Sequence, residues 1–332
     1  MPQVRADLER LVRIPSVSAE GHDPAPLVRS AELVAELLRS VGADTRVLRA
    51  EGGHPAVVGY FMAPRGKPTV VLYAHHDVQP PGPDSEWKTP PFVPTERDGR
   101  LYGRGAADDK AGVLAHIAAL RAYDGKPPVG VAVFVEGEEE AGSERLRGYL
   151  EGEGDRLRCD AVVVADGGNW RIGVPAISAL ALDAPPVREA VNQLVPVARA
   201  KVSMRIPPGQ DATKALDALV KHLEKNVPWG AEVHIERHAV GEPFATKTGG
   251  PAYRAMHDAL SEAWGAKAVD VGSGGSIPFL FDFAELFPKA EILVTGVDDP
   301  QSGPHGPDEG LHLAEFERVC LAETLFLSKL AG

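Results

Sequence analysis

The chain has 332 residues, a formal net charge of −12, 44% hydrophobic and 25% charged residues, an ordinary globular balance for about two domains. The acidic excess argues against nucleic acid and anionic membranes as partners, since both select clustered Lys and Arg. Cys159 and Cys320, the only two cysteines, exclude a disulfide framework or thiolate metal site; no apolar run reaches membrane-spanning length and the charged N-terminus lacks a signal-peptide core, so a cytoplasmic location is expected.

"VRADLERLV" and "LVRSAELVAELLRSVG" carry apolar residues at helical spacing, the second stopping at Gly42. Five short Val- and Ile-rich runs come next along the chain: "AVVGYF", "TVVLYA", "VGVAVFV", "DAVVVAD" and "EILVTGV". They alternate little and are bounded by Gly, Pro or charge, and helical stretches such as "DDKAGVLAHIAALRAY" separate several of them. That pattern predicts an α/β fold, a mostly parallel (mixed) sheet sandwiched by helices. Near "ALDAPPVREAVNQLVP" the texture changes. "ARAKVSMRI" and "AEVHIERHAV" alternate like half-exposed strands around the amphipathic "DATKALDALVKHLEKN". We therefore expect a discontinuous main domain, residues 1–182 and 242–332, with a small β-α-β unit inserted at 183–241.

In open α/β sheets ligands gather outside the carboxyl ends of the strands. Here "TVVLYA" runs into His75, His76 and Asp77, "VGVAVFVEG" into Glu138, Glu139 and Glu140, and "DAVVVA" into Asp166. "EILVTGV" leads into a Gly/Pro loop with His305, and "GRLYGRGAADDKAG" sets Asp108 and Asp109 before a helix. Singly, each has a plain explanation: adjacent surface histidines, a solvated acidic loop, an N-cap. Together they put acids and imidazoles at one topological position, where they would repel one another without a cation. Imidazole plus carboxylate without thiolate suits zinc, manganese or cobalt.

"YAHHDVQP", "GRGAADDKAG", "EGEEEAGS" and "VGSGGSIP" followed by "HGPDE" resemble, in order, the motifs of the dinuclear metallopeptidases of family M20, the carnosinase-like dipeptidases in particular. The match covers nearly all of the expected main domain and implies a zinc-exopeptidase-like fold with two divalent metal ions per chain, zinc ahead of manganese or cobalt. By motif position, His75 and Asp166 would bind one ion, Glu140 and His305 the other, and Asp108 would bridge them across a cis Asp108–Asp109 peptide. Asp77 would orient His75, Glu139 would be the general base, and His76 falls at a variable position. Arg205 would clamp a substrate carboxylate, with Gly274, Gly275 and Ser276 offering backbone N–H groups to the substrate.

The resemblance also exposes a gap. Relatives carry a larger lid domain after "ISAL" whose first half supplies a histidine in an His-Ser-Gly-like context, and no such stretch occurs here. His222, His234 and His238 in the remaining unit do not match it and read as surface histidines. The expected protein is thus a metal-dependent hydrolase of dipeptides or small peptides with a shortened lid, a monomer or an altered dimer. An N-acyl-amino-acid deacylase or desuccinylase using the same site, and a metal-binding but catalytically silent homologue, are the alternatives. A Ser or Cys hydrolase is disfavoured, as no Gly-x-Ser-x-Gly elbow is present.

Overall fold

The computed structural model describes the chain apart from residues 168–176, 187, 189–191, 193–194, 196, 207–208, 239, 242–245, 247 and 271–278. Each of the five Val-rich runs forms a strand, and these are joined by a sixth. In chain order the sheet comprises β1 (Asp44–Leu48), β2 (Ala56–Phe61), β3 (Thr69–His75), β6 (Gly130–Glu136), β7 (Ala161–Val164) and β10 (Glu291–Val294). Across the sheet they lie β1-β2-β6-β3-β7-β10. β6, β3, β7 and β10 are parallel, while β2 and β1 extend one edge antiparallel. Parallel strands buried on both faces need no polar side, which is why these runs read as nearly unbroken Val and Ala.

Five helices contribute to the apolar core on one face: α1 (Pro2–Val12), α2 (Ala25–Ser40), α3 (Lys110–Ala122), α6 (Pro251–Trp264) and α8 (Leu313–Ala331). Val70, Leu72 and Ala74 of β3 and Val131, Val133 and Val135 of β6 join that core. On the other face Tyr73 and Phe134 stack at 6.2 Å, and Phe283 of α7 (Phe279–Leu286) meets the Tyr73 ring edge-on at 5.5 Å. Polar links also cross this core, among them buried His116 of α3, which bonds Glu323 of α8 at 2.7 Å and the Tyr73 carbonyl at 3.0 Å. Burial opposes charge on that ring, but Glu323 outweighs it and raises its pKa. A small antiparallel sheet, β11-β5-β4 (Gly310–His312, Arg100–Tyr102, Thr95–Arg97), ties the loop before β11 to the segment after β5.

The chain divides into two compact units, one of Met1–Arg171, Thr246–Val271 and Asp282–Gly332, the other of Ile172–Ala245 and Gly272–Phe281. Within the second, β8 (Ile177–Asp183) pairs antiparallel with β9 (Arg199–Met204), and α5 (Ala212–Lys225) starts at Asp211, whose carboxylate accepts the Lys214 N–H at 2.9 Å. One expectation is corrected: residues 231–238 of "AEVHIERHAV" form no strand. The strand paired with β9 is "ISALALD", assigned from the sequence to the main domain. Alternation marks a strand only where a neighbouring edge accepts its hydrogen bonds, and 231–238 pair with no strand among the described residues. His222, His234 and His238 are exposed.

Phe283 is fully buried against Tyr73. Replacing it with Ala is expected to cost about 3–5 kcal/mol of stability, read as a lower urea midpoint.

Candidate metal centre

His75 is the last residue of β3, the strand between β6 and β7, so its ring is fully buried at the carboxyl edge of the sheet. Nδ1 lies 3.1 Å from the Asp77 carbonyl and 3.3 Å from Asp77 Oδ1, leaving Nε2 to face Asp108 Oδ1 at 3.1 Å. Asp77 does a second job. Its two carboxylate oxygens accept the backbone N–H groups of Glu139 (3.2 Å) and Glu140 (3.0 Å), and Ser18 donates at 2.7 Å. The end of β3 thereby organises the acidic turn after β6. Burial works against charge on Asp77, but the bonds from His75 and Ser18 hold its pKa below the usual range.

Asp108 is the meeting point of the two imidazoles. His305 Nε2 lies 2.9 Å from Asp108 Oδ2 and 3.4 Å from Glu140 Oε2. Glu140 Oε2 also accepts from Gln79 at 2.7 Å. Ligand atoms of His75, Asp108 and Glu140 lie within 4.8 Å of one another, as do those of His75, Glu139 and Asp166. The structure therefore brings together all the metal-site candidates named from sequence, together with Asp77 and Glu139. Arg205 comes just after β9 in the second unit and is exposed, whereas Gly274, Gly275 and Ser276 lie outside the described residues.

The Asp108–Asp109 peptide is cis. Asp109 occupies the N-cap position of α3 without capping it; its carboxylate accepts the His75 backbone N–H at 3.1 Å. The N-cap explanation of "DD" is thereby replaced by one in which Asp109 fixes the ligand strand. His76 turns away from the centre, fully buried, its Nε2 2.9 Å from the Pro55 carbonyl, and burial pushes its pKa down to about 4.

Sequence reasoning missed Glu309. This fully buried carboxylate accepts from Arg104 (2.6 Å) and from the backbone N–H groups of Gly105 (3.0 Å), Ala107 (2.9 Å) and Asp108 (3.0 Å). It clamps the Asp108 loop to the His305 loop, and Arg104 adds a bond to the Gly306 carbonyl at 3.1 Å. The one available signal was an acid in "HGPDE", four residues past His305. Asp298 was missed too: burial, then the nearby carboxylates, push it up to about 8, and its Oδ1 has no partner among the described residues.

The donor set fits divalent cations. Crowding of its acids shows in their titration: burial and Asp166 push Glu139 up to about 9, burial and Asp108 push Asp166 up to about 6, and the bonds to Asp108 and Glu140 push His305 up to about 10. A multivalent cation offsets such repulsion among carboxylates.

Residues 71–328 match the family model for peptidase family M20/M25/M40. The chain belongs to that family. Among its relatives, the cysteinylglycine-S-conjugate dipeptidase of Corynebacterium striatum is 27% identical over 415 aligned positions, 93% of this chain and 90% of that one. That alignment is longer than this chain, so the M20 relative carries internal segments without a counterpart here. The human Beta-Ala-His dipeptidase is 35% identical over 173 residues, 46% of this chain but only 34% of the relative, so the matched part spans about a third of that protein. In fold, the crystal structure of human carnosine dipeptidase 1 superposes with a TM-score of 0.85 at 19% identity, covering 99% of this chain and 96% of that one. No described helix is long and apolar enough to cross a membrane.

Of the ligand candidates, His305 is raised by its bonds to Asp108 and Glu140, so at pH 7 its ring holds a proton that a cation bound at that nitrogen must displace. Zinc binding is expected to release protons and to weaken as pH falls, checked by calorimetry in two buffers of different ionisation enthalpy. An uptake independent of buffer and pH would contradict it.

Proposed function

We propose that the chain hydrolyses the amide bond of dipeptides or small peptides at a centre of two divalent cations. The convergence of His75, Asp108, Glu139, Glu140, Asp166 and His305 at the carboxyl edge of a parallel sheet carries this reading. His75 and Asp166 would hold one cation, Glu140 and His305 the other, with Asp108 shared between them; zinc is the leading candidate. Bound there, the pair would acidify a water and polarise the scissile carbonyl.

The chain's own residues do the rest. Glu139 takes the proton from the attacking water and passes it to the leaving amine, a task that its burial favours, since a carboxylate with a raised pKa is a stronger base once ionised. Asp77 keeps His75 presenting Nε2 and, through the Glu139 and Glu140 amides, holds the base in place beside the ligands. Arg205 would pair with the substrate carboxylate, its planar fork suited to a bidentate contact, and residues 274–276 would donate backbone N–H groups.

The segment 183–241 is read as the remnant of a lid domain. The longer alignment with the bacterial dipeptidase supports this. Loss of an oxyanion donor from the absent half would cost on the order of 10²–10³ in rate, so turnover slower than that of full-lid relatives is part of the proposal. Dimer contacts through that half would be lost as well, leaving a monomer or an altered dimer. Two cysteines without a disulfide fit a cytoplasmic setting.

Hydrolysis of a dipeptide panel, run beside N-acetyl and N-succinyl amino acids with bound zinc counted in the same sample, tests the reading. Peptide turnover with about two zinc ions per chain is expected. Turnover confined to N-acyl amino acids would move the assignment to a deacylase, and bound zinc with no turnover to a silent homologue. Glu139→Gln should lose about 10²–10⁴ in kcat while keeping both ions; unchanged kcat would remove Glu139 from the role of base.

A further inference from the structure

His76 stands beside a ligand yet takes no part in the centre. Its backbone N–H donates to the Glu136 carbonyl at 2.8 Å, carrying the β3–β6 ladder past the last strand residue. Its own carbonyl accepts from the buried Ser16 hydroxyl at 2.7 Å and lies 3.4 Å from the Ser30 hydroxyl. The ring donates through Nε2 to Pro55, since a carbonyl can only accept, while Nδ1 has no partner among the described residues.

The start of the acidic turn lies over that ring. A Cβ at Gly137 would collide with the Pro55 carbonyl oxygen and sit 2.7 Å from His76 Nε2. Gly137 is thus the residue whose bare backbone can rest on the His76–Pro55 hydrogen bond. The next residue, Glu138, grips the same loop from the other side: its carboxylate accepts the His54 N–H at 3.1 Å and the Arg145 N–H at 2.6 Å. Tyr149 of α4 (Leu146–Glu153) donates to the His54 carbonyl at 3.1 Å. Residues 54–55 are therefore a brace held at one end by His76, next to the ligand His75, and at the other by Glu138, which precedes Glu139 and Glu140.

We infer that His76 is a positioning residue for the hydrolytic centre: its Nε2–H···O=C bond to Pro55, with Gly137 laid across it, sets the spacing between His75 on β3 and the Glu139–Glu140 turn after β6. The inference rests on the hydrolase reading above for its catalytic consequence. An apolar side chain at position 76 would leave the buried Pro55 carbonyl unsatisfied and let the loop, and with it the acidic turn, relax away from His75. Groups that orient metal ligands from behind typically change affinity or activity about 10- to 100-fold when removed.

Three substitutions in the full chain test this: His76→Leu removes the donor, His76→Asn places an amide too short to reach Pro55, and His76→Gln places one near the position of Nε2. Each is loaded with cobalt(II) and examined by visible absorption and by kcat and KM on a dipeptide. H76L and H76N should still bind two ions but show an altered cobalt spectrum and about 10- to 100-fold lower kcat at near-constant KM, with H76Q restoring both toward wild type. If H76L does not fold, the contrast between H76Q and H76N carries the same comparison. A wild-type spectrum and kcat in folded H76N, even with a lowered melting temperature, would make His76 an ordinary core residue and overturn the inference. So would a H76Q as impaired as H76N. Should the wild-type chain cleave no substrate at all, the hydrolase reading fails separately, and the cobalt spectra still decide whether His76 sets the ligand geometry.

Discussion

Like charges at close range are the constraint around which the first unit is built. Asp108, Glu139, Glu140 and Asp166 are drawn to one edge of the sheet, and in a medium less polar than water their mutual repulsion grows. The structure contains that repulsion in two ways. Imidazoles screen it from within, His305 lying between Asp108 and Glu140 and His75 beside Asp108. From outside, backbone amides fix the loops that carry the acids, with Asp77 holding the turn after β6 and Glu309 the loop before α3.

These outer carboxylates explain why so many ionisable groups near the centre are fully buried without being ligands. Each is satisfied by several donors, so its burial does not leave an unpaired charge. Glu309 has Arg104 and three amides; Asp77 has two amides, a hydroxyl and an imidazole. Asp109, Asp298 and Glu136 depart from the rule, each keeping one oxygen without a partner among the described residues; burial raises all three, the last two to about 8. Glu136 receives the Tyr73 hydroxyl at 2.5 Å on its other oxygen.

The second unit is of a different character. Ile177, Leu180 and Leu182 of β8 and Val202 of β9 are exposed, in contrast to the buried strands of the six-stranded sheet. A two-stranded ribbon buries little by itself.

Strand identity and the position of the acids were legible in the chain because both are local. An unbroken Val-rich run is satisfied where a sheet is covered on both faces, and the residues directly after a parallel strand emerge at the carboxyl edge; hence β3, β6, β7 and β10 and the arrival there of His75, Glu139, Glu140 and Asp166, while β2 joins the same sheet antiparallel. Pairing partners were not local. The exposed alternation of 231–238 reads like a strand and is none, because it pairs with no strand edge among the described residues. Nor could the chain disclose that Glu309 meets amides some two hundred residues earlier, that Asp109 serves His75 rather than its own helix, or that His76 and Gly137 pack together beneath the acidic turn. The sequence by itself determined which side chains could bind a cation and which end of the sheet they would reach. Only the tertiary structure decided what holds them there, since a buried carboxylate or imidazole takes its role from the donors that folding brings within about 3 Å of it.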